Sequence, residues 1–166
     1  GHNRDIAWGI TNAFPDVQDI FVEKFHPEDD SLYEFEGEWR KANIVREIIH
    51  VRGRRKPIVE DVRYTHHGPI ISDLLAEEQR PLALQWTAFS ENIHMRSILE
   101  TNRATDWDSF CHAVRDWGFP SQNMVYADSK NNIGYIMPGH VPVRQKGSGL
   151  SPVSGSSGEF EWNGRI

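Results

Sequence analysis

Alternating apolar and polar positions predict that most of this chain forms β-strands. Apolar side chains recur at every second position over residues 6–11, which predicts a strand with one apolar face. Similar alternation predicts strands over residues 38–51 and 58–65, and the basic, glycine-containing stretch between them is typical of a hairpin tip. Further strands are predicted over residues 82–88, 124–128 and 133–136.

Two stretches carry helical periodicity instead. Residues 93–102 predict a short helix, and a second helix is predicted to begin at a capping box formed by Thr105 and Asp108 and to stop at Gly118. The apolar positions of that helix are Trp107, Phe110, Cys111, Val114 and Trp117. This spacing places Cys111 in the core. Polar or glycine-rich composition predicts irregular structure over residues 12–16, 26–31 and 147–158.

The composition fits one domain, or a large part of one, with no general affinity for nucleic acid. The chain has 166 residues and a formal net charge of −6, and a net negative charge argues against binding a polyanion. We interpret the basic residues 52–56 as a solvated hairpin tip. The single cysteine cannot form an internal disulfide and does not fix the compartment. The sequence contains no apolar run long enough to span a membrane.

The most specific motif lies at the start of the chain. Residues 1–12 read GHNRDIAWGITN and residues 16–23 read DVQDIFVE. They resemble the penicillin acylase (penicillin amidase) family of N-terminal-nucleophile hydrolases, in which a GHN-x-x-I-x-WG-x-T strand leads into a D-x-x-D-(I/L)-(F/Y)-x-E segment. Residues 66–70, 120–135 and 159–164 resemble later blocks of the family in the same order. The resemblance therefore covers nearly the whole chain.

This resemblance implies an α+β fold that is part of an Ntn-hydrolase αββα sandwich with largely antiparallel sheets. It implies that residues 1–166 are a single fragment of the catalytic domain, lacking the N-terminal nucleophile and the later part of the catalytic chain. In the family, the nucleophile is the first residue of the mature catalytic chain, a few dozen residues upstream of the GHN motif. We therefore expect the isolated fragment to be inactive.

The resemblance also implies a reaction. Family members cleave the amide bond of N-acyl substrates, such as β-lactam side-chain amides or N-acyl homoserine lactones, through an N-terminal Ser whose own α-amino group serves as the base. The implied partners are the alpha chain and the rest of the beta chain of an autoprocessed precursor. The implied location is the periplasm or the exterior of the cell.

The resemblance implies four residues that contact the substrate. Asn12 aligns with the family position whose backbone N–H contributes to the oxyanion hole, and a second donor is expected beyond Ile166. Phe14, Gln122 and Asn123 are expected to line the acyl pocket. The alternatives are that Asn12 is a turn residue and that the others only pack or cap strands.

A structural calcium ion is the implied cofactor. Asp16 and Asp19 align with side-chain ligands, and Gln18 aligns with a ligand that uses its backbone carbonyl, which a change of side chain leaves intact. Another carbonyl is expected within residues 148–151, and the remaining ligands lie outside the chain, so binding by the fragment is expected to be weak. The alternative is that Asp16 caps a turn and Asp19 is solvated.

Adjacent histidines at His66 and His67 also suggest a metal site. Because neighbouring residues on a strand point to opposite faces, and because no Cys/His spacing typical of zinc is present, we predict a structural strand end instead.

Two other functions compete with the amidase hypothesis. The first is a non-enzymatic, β-rich binding module that holds calcium. The second is a self-contained hydrolase using Ser90, Ser121 or Ser154, although none of the three lies in a G-x-S-x-G motif. The ordered agreement of the family blocks favours the amidase.

Overall fold

A computed structural model describes residues 1–75, 77–89 and 94–166 of the chain. The strands along these residues are β1 (Ile6–Asn12), β2 (Gln18–Val22), β3 (Phe25–His26), β4 (Asp29–Phe35), β5 (Glu38–Lys41), β6 (Asn43–Ile49), β7 (Ile58–Tyr64), β8 (Leu82–Trp86), β9 (Gln122–Asp128), β10 (Ile133–Ile136), β11 (Pro142–Arg144), β12 (Val153–Ser154) and β13 (Trp162–Arg165). The α-helices are α1 (His94–Arg103) and α2 (Trp107–Val114), and short 3-10 helices occur at Ser72–Leu74 and Thr87–Phe89. Neither α-helix in the described ranges is long and apolar enough to cross a membrane.

The described residues form two compact units, and the chain passes between them more than once. The first unit contains residues 1–17, 87–143 and 164–166, and the second contains residues 18–86 and 144–163. Strand pairing is mainly antiparallel, with a parallel pair between β12 and β2. The α+β class with largely antiparallel sheets is therefore confirmed, while a single catalytic domain over residues 1–166 stays a prediction.

The first unit is built on a three-stranded antiparallel sheet in the order β1-β9-β10. Alternate side chains of β1 and β9 face α2, because side chains alternate across a strand. Phe110 and Val114 meet them from the helix, since residues four apart share one helix face. The buried cluster that results consists of Ile6, Ala104, Phe110, Val114, Met124 and Tyr126.

The second unit contains two small sheets and a hairpin. One sheet has the order β12-β2-β8, the other has the order β3-β4-β5, and β6 pairs with β7. The first sheet contributes Phe21 and Ala83 to a buried cluster with Ile70, and the second sheet is packed around Tyr33 and Phe35. These clusters fix the positions of the loops that follow β7 and β12.

Most predicted strands are confirmed, with shifted ends. The strand over residues 6–11 is β1, and the hairpin is β6 with β7. The stretch 38–51 is two strands rather than one, because the pairing partner changes at Ala42: β5 pairs with β4, whereas β6 pairs with β7. The strand predicted over residues 82–88 ends at Trp86.

The predicted loops contain more regular structure than expected. Residues 26–31 form a tight hairpin, in which His26 at the end of β3 pairs with Asp29 at the start of β4. The glycine-rich stretch 147–158 contains β12.

The second helix is confirmed, but its predicted capping box is wrong by one residue, and it ends at Val114 rather than at the predicted stop, Gly118, which leaves Trp117 outside it. Asp106 is the N-cap, since its carboxylate accepts the Ser109 N–H at 2.8 Å while the Ser109 hydroxyl accepts the Asp106 N–H at 3.2 Å. Cys111 is half-buried rather than in the core, and burial raises the pKa of its thiol. The first helix is described from His94, so its predicted start at Ile93 lies outside the described residues.

Candidate functional site

Three of the predicted substrate-side residues lie together where β1 pairs with β9. The antiparallel register places Asn12 opposite Gln122 and Thr11 opposite Asn123. Gln122 Nε2 donates to Asn12 Oδ1 at 3.1 Å, and Asn123 Nδ2 donates to the Asn12 carbonyl at 3.1 Å. The Tyr135 hydroxyl donates to Asn123 Oδ1 at 2.7 Å. This amide cluster, defined by Asn12, Gln122, Asn123 and Tyr135, fixes the end of β1.

The backbone N–H of Asn12 points away from β9. In an antiparallel ladder, residue pairs that exchange hydrogen bonds alternate with pairs that do not. Ala13 N–H donates to the Ser121 carbonyl at 3.1 Å, so this pair is hydrogen-bonded. The preceding pair, Asn12 with Gln122, is then a non-hydrogen-bonded pair. Its backbone donor on β1 is directed toward the opposite edge of the strand.

Among the described residues, no strand pairs with that opposite edge of β1 at Asn12. Strand β1 is an edge strand of its sheet. The Trp8 N–H, which has the same direction, donates to the Gly1 carbonyl at 2.8 Å. Within the described ranges, no acceptor is recorded for the N–H of Asn12, and the residue is exposed. A donor held rigidly on a strand and open to a ligand is the kind of group that stabilises an oxyanion.

The predicted pocket residues do not share one face of the sheet. Gln122 is buried on the side of the helices, whereas Asn123 and Tyr135 project from the opposite side. Phe14 follows β1 and is 91% exposed. The structure thus brings Asn12, Gln122 and Asn123 together and leaves Phe14 outside their hydrogen-bonded cluster.

The predicted calcium ligands fall in different environments. Asp16 is an exposed residue of the first unit, and Gln18 is an exposed residue at the start of β2 in the second unit. Asp19 is buried, so the alternative that it is solvated is wrong. Its carboxylate accepts hydrogen bonds from Arg144 Nε, at 2.8 Å to Oδ2, and from Trp162 Nε1.

These contacts bear on whether calcium fits. A guanidinium bonded to Asp19 opposes a second cation at the same carboxylate. Ca²⁺ needs six to eight oxygen ligands, and the described part of the second unit supplies Asp19 as the only predicted carboxylate ligand. Calcium binding by Asp16, Gln18 and Asp19 stays a sequence-based prediction.

The histidine pair lies beyond the end of its strand, which makes the prediction of opposite faces wrong. Strand β7 ends at Tyr64, and Thr65 and Gly68 close a turn with N–H to carbonyl hydrogen bonds of 3.0 and 3.2 Å in the two directions. The turn brings the rings of His66 and His67 to the same side, with centroids 3.8 Å apart.

Two glutamates contact this pair, and although Glu23 and Glu161 both lie in segments that resemble the family, neither was predicted to be a site residue. His67 Nδ1 lies 2.8 Å from Glu23 Oε1, and His67 Nε2 lies 2.8 Å from Glu161 Oε1. His66 Nε2 lies 3.6 Å from Glu161 Oε2. Burial, and secondly the neighbouring His67, lowers the pKa of His66 below its ordinary value. We call Glu23, His66, His67 and Glu161 the histidine–glutamate cluster.

A self-contained serine triad finds no support in the described residues. Ser121 is buried, and its hydroxyl has no hydrogen-bond partner among them. The Ser154 hydroxyl lies 3.4 Å from that of Ser156. Ser90 lies outside the described residues.

Comparison with known proteins identifies the family. The family model for penicillin amidase matches residues 1–166. An acyl-homoserine lactone acylase, QuiP, from Pseudomonas fluorescens is 34% identical over 168 residues, which cover 99% of this chain and 20% of that protein. The penicillin acylase 2 proenzyme from Pseudomonas sp. is 35% identical over 170 residues, covering 99% of this chain and 21% of the proenzyme.

A solved structure agrees with these sequences. A thermostable penicillin G acylase from Alcaligenes faecalis superimposes with a TM-score of 0.77 and 28% identity, covering 97% of this chain and 29% of that one. The chain spans about a fifth of the length of the curated relatives it matches. It belongs to the penicillin amidase family and has the α+β fold of an Ntn hydrolase.

Proposed function

We propose that the chain is part of the catalytic chain of an amide hydrolase and that it supplies a hydrogen-bond donor to the oxyanion hole. Its substrates are N-acyl compounds, either β-lactam side-chain amides or N-acyl homoserine lactones, and an N-terminal Ser outside the 166 residues is the nucleophile. The observation that carries the proposal is the backbone N–H of Asn12, which is exposed and directed toward the open edge of β1. The names of the relatives support both substrate classes.

In the proposed reaction, Asn12 acts in the step in which negative charge develops on the carbonyl oxygen of the substrate. The Ser oxygen attacks the acyl carbonyl carbon and passes its proton to its own α-amine. The carbonyl oxygen becomes an oxyanion, which accepts a hydrogen bond from the Asn12 N–H. The C–N bond then breaks and the leaving nitrogen takes the proton. Water, deprotonated by the same amine, attacks the acyl ester and regenerates the Ser hydroxyl.

The amide cluster serves this donor by positioning. Gln122 and Asn123 hydrogen-bond the side chain and the carbonyl of Asn12, and Tyr135 in turn holds Asn123. A donor that is fixed before the reaction does not have to reorganise when the oxyanion forms. In this proposal the cluster sets the direction of one N–H group, and Phe14 contributes to an acyl pocket completed by residues outside the chain.

The remaining parts of the proposal rest on the family resemblance. The partners are the alpha chain and the rest of the beta chain of an autoprocessed precursor, and the location is periplasmic or secreted. Calcium binding by Asp16, Gln18 and Asp19 belongs to the full-length protein, where further ligands are available to offset the Arg144 charge.

Two substitutions at one position test the role of the backbone donor. In the full-length enzyme, Asn12→Pro removes the N–H, and Asn12→Ala keeps it while removing the side chain. Loss of one oxyanion-hole donor lowers kcat by about 10²- to 10³-fold. We expect Asn12→Pro to show that loss in hydrolysis of a chromogenic acyl anilide, and Asn12→Ala to stay within about tenfold of the parent.

Precursor processing gives a second readout of the same donor, because processing also cleaves an amide through an oxyanion. If Asn12→Pro blocks processing and Asn12→Ala does not, that result also supports the role of the backbone N–H, as a loss of turnover would. Equal losses in Asn12→Pro and Asn12→Ala, with both proteins folded and processed, would show that the backbone N–H has no special role.

A further inference from the structure

We propose that His66, His67 and Glu161 bind a divalent transition-metal ion of the zinc type. The three residues offer two imidazole nitrogens and a carboxylate, and their ligand atoms all lie within 4.8 Å of one another. Two histidines with one glutamate are a ligand set that zinc uses in sites that keep a fourth, open position. All three residues belong to the second unit, and none of them is a member of the amide cluster.

The ligand atoms already stand close to the spacing that such an ion requires. Zinc bonds of about 2.0–2.2 Å in a tetrahedron put neighbouring ligand atoms roughly 3.3–3.5 Å apart. Nε2 of His67 lies 2.8 Å from one oxygen of Glu161, and Nε2 of His66 lies 3.6 Å from the other. A rotation of the partly exposed glutamate that presents one oxygen to both nitrogens would bring the three ligand atoms, which all lie within 4.8 Å of one another, toward the tetrahedral range.

The opposite nitrogen of each ring is held by a partner. His67 Nδ1 is 2.8 Å from Glu23 Oε1, and His66 Nδ1 is 3.1 Å from the Tyr33 hydroxyl. A metal-binding histidine characteristically gives its second ring N–H to a carboxylate or another acceptor, which fixes the tautomer and leaves a lone pair for the metal. Both Nε2 atoms of the pair are available for one ion in this arrangement.

Packing keeps the His67 ring in that orientation. Its plane stacks on Phe21, with ring centroids 3.7 Å apart and an interplanar angle of 8°. The side chains of His67 and Glu23 are fully buried, whereas those of His66 and Glu161 are 29% and 25% exposed. An ion can therefore enter from the side of His66 and Glu161, and the buried half of the site is already formed.

The charge balance also favours a cation. Glu23 and Glu161 both approach the single ring of His67. Oε2 of Glu23 is buried and has no hydrogen-bond partner among the described residues. Buried carboxylates are stable when paired with positive charge. A divalent ion between the histidines and Glu161 supplies that charge and ties the turn after β7 to the segment before β13.

The donor set predicts which ions bind. Imidazole nitrogen suits zinc, nickel, copper and iron, whereas calcium and magnesium prefer oxygen ligands alone. We expect the full chain to bind Zn²⁺ and Co²⁺ saturably in calorimetric titration and to be stabilised by them in thermal melts. Calcium and magnesium at the same concentrations should not compete.

Zn²⁺ affinities of single-residue variants distinguish binding at this site from adventitious binding elsewhere on the chain. Tyr33→Phe removes only the outer partner of His66, and we expect it to weaken Zn²⁺ affinity by about tenfold. His66→Ala removes a direct, partly exposed ligand, and we expect a larger loss of affinity than in Tyr33→Phe. His50→Ala, at an exposed histidine of the same unit, is the matched control and should leave the affinity unchanged. Circular dichroism verifies that each variant is folded.

The spectrum of bound cobalt adds a readout that depends on geometry. Tetrahedral coordination by nitrogen and oxygen gives Co²⁺ an intense visible absorption, which we expect in the parent chain and not in His66→Ala. If His66→Ala is unfolded, His66→Gln takes its place with the same expectation. Absence of saturable Zn²⁺ binding, or affinities equal in the His66 variant and His50→Ala, would overturn the proposal.

Discussion

Asp19 carries its charge inside the second unit, where Arg144 and Trp162 hold the carboxylate. The side chains of Asp19 and Arg144 are only 6% and 15% exposed. Removing one partner of a buried ion pair leaves the other charge uncompensated, which costs about 3–5 kcal/mol. We expect Asp19→Asn to lower the free energy of unfolding by about 3 kcal/mol, measured by urea denaturation of the full chain.

The matched control is Asp16→Asn, which neutralises an exposed carboxylate three positions away. The decrease in the free energy of unfolding caused by Asp16→Asn should stay below about 1 kcal/mol when a chelator is present, because exposed charges contribute little to stability. Equal losses at the two positions would contradict the structural role of the Asp19–Arg144 pair.

Thermal melts of the full-length protein test the calcium proposal. Stabilisation of the parent by calcium, but not of its Asp16→Asn variant, would support the proposal. A melting curve unaffected by chelation would refute it.

Side chains could be placed from the sequence where they belong to neighbouring strands with a recognisable motif. Asn12, Gln122 and Asn123 meet because β1 and β9 pair, and both strands lie in blocks that resemble the family. The histidine–glutamate cluster could not be found in this way. Its contacts depend on the turn over residues 65–68, which brings both histidine rings to one side and which alternation of side chains on a strand does not describe.

At the scale of elements, the turn over residues 65–68 decides where the histidines lie. Gly68 has a φ of +141°, and a Cβ at this position would overlap the Leu84 carbonyl oxygen. We expect Gly68→Ala to lower the free energy of unfolding by about 3 kcal/mol, because backbone strain and a backbone clash add together. Urea denaturation measures the loss.

Gly53 in the tip between β6 and β7 provides the control for that glycine. It also has a positive φ, of +86°, but a Cβ there would meet open space. Gly53→Ala should therefore show only the conformational cost, about 1 kcal/mol. If the two alanine variants lose the same stability, the close approach of the turn to Leu84 is not what requires glycine at position 68.

The elements also show where sequence patterns lose accuracy. Helix α2 was predictable because Phe110 and Val114 repeat at helical spacing and both are buried. Its start was misplaced by one residue, since Thr105 and Asp106 are both good caps and only the structure shows that Ser109 pairs with Asp106. The break at Ala42 was missed because the sequence pattern does not show that β5 pairs with β4 while β6 pairs with β7.

At the scale of the whole molecule, the first unit exposes an apolar sheet face. Val125, Ile133 and Tyr135 project from the side of the sheet opposite the helices, and they are 56%, 88% and 58% exposed. Exposed apolar faces of this kind mark surfaces that another layer covers.

The proposal that the nucleophile lies outside these 166 residues predicts that the isolated chain is inactive, because an oxyanion donor alone does not cleave an amide. The measurement is hydrolysis of a chromogenic acyl anilide by the purified 166-residue chain, with the full-length protein as the positive control. Turnover by the pure chain above the rate of a denatured sample would contradict the assignment of the nucleophile to residues outside it.

The mature N-terminus of the catalytic chain in the full-length protein tests the central claim most directly. Intact mass and N-terminal sequencing give the answer without assuming a substrate. We predict internal cleavage upstream of Gly1 that exposes a Ser, whose α-amino group then serves as the base. An uncleaved protein, or a catalytic chain that begins with a residue lacking a nucleophilic side chain, would contradict the account and favour a binding module.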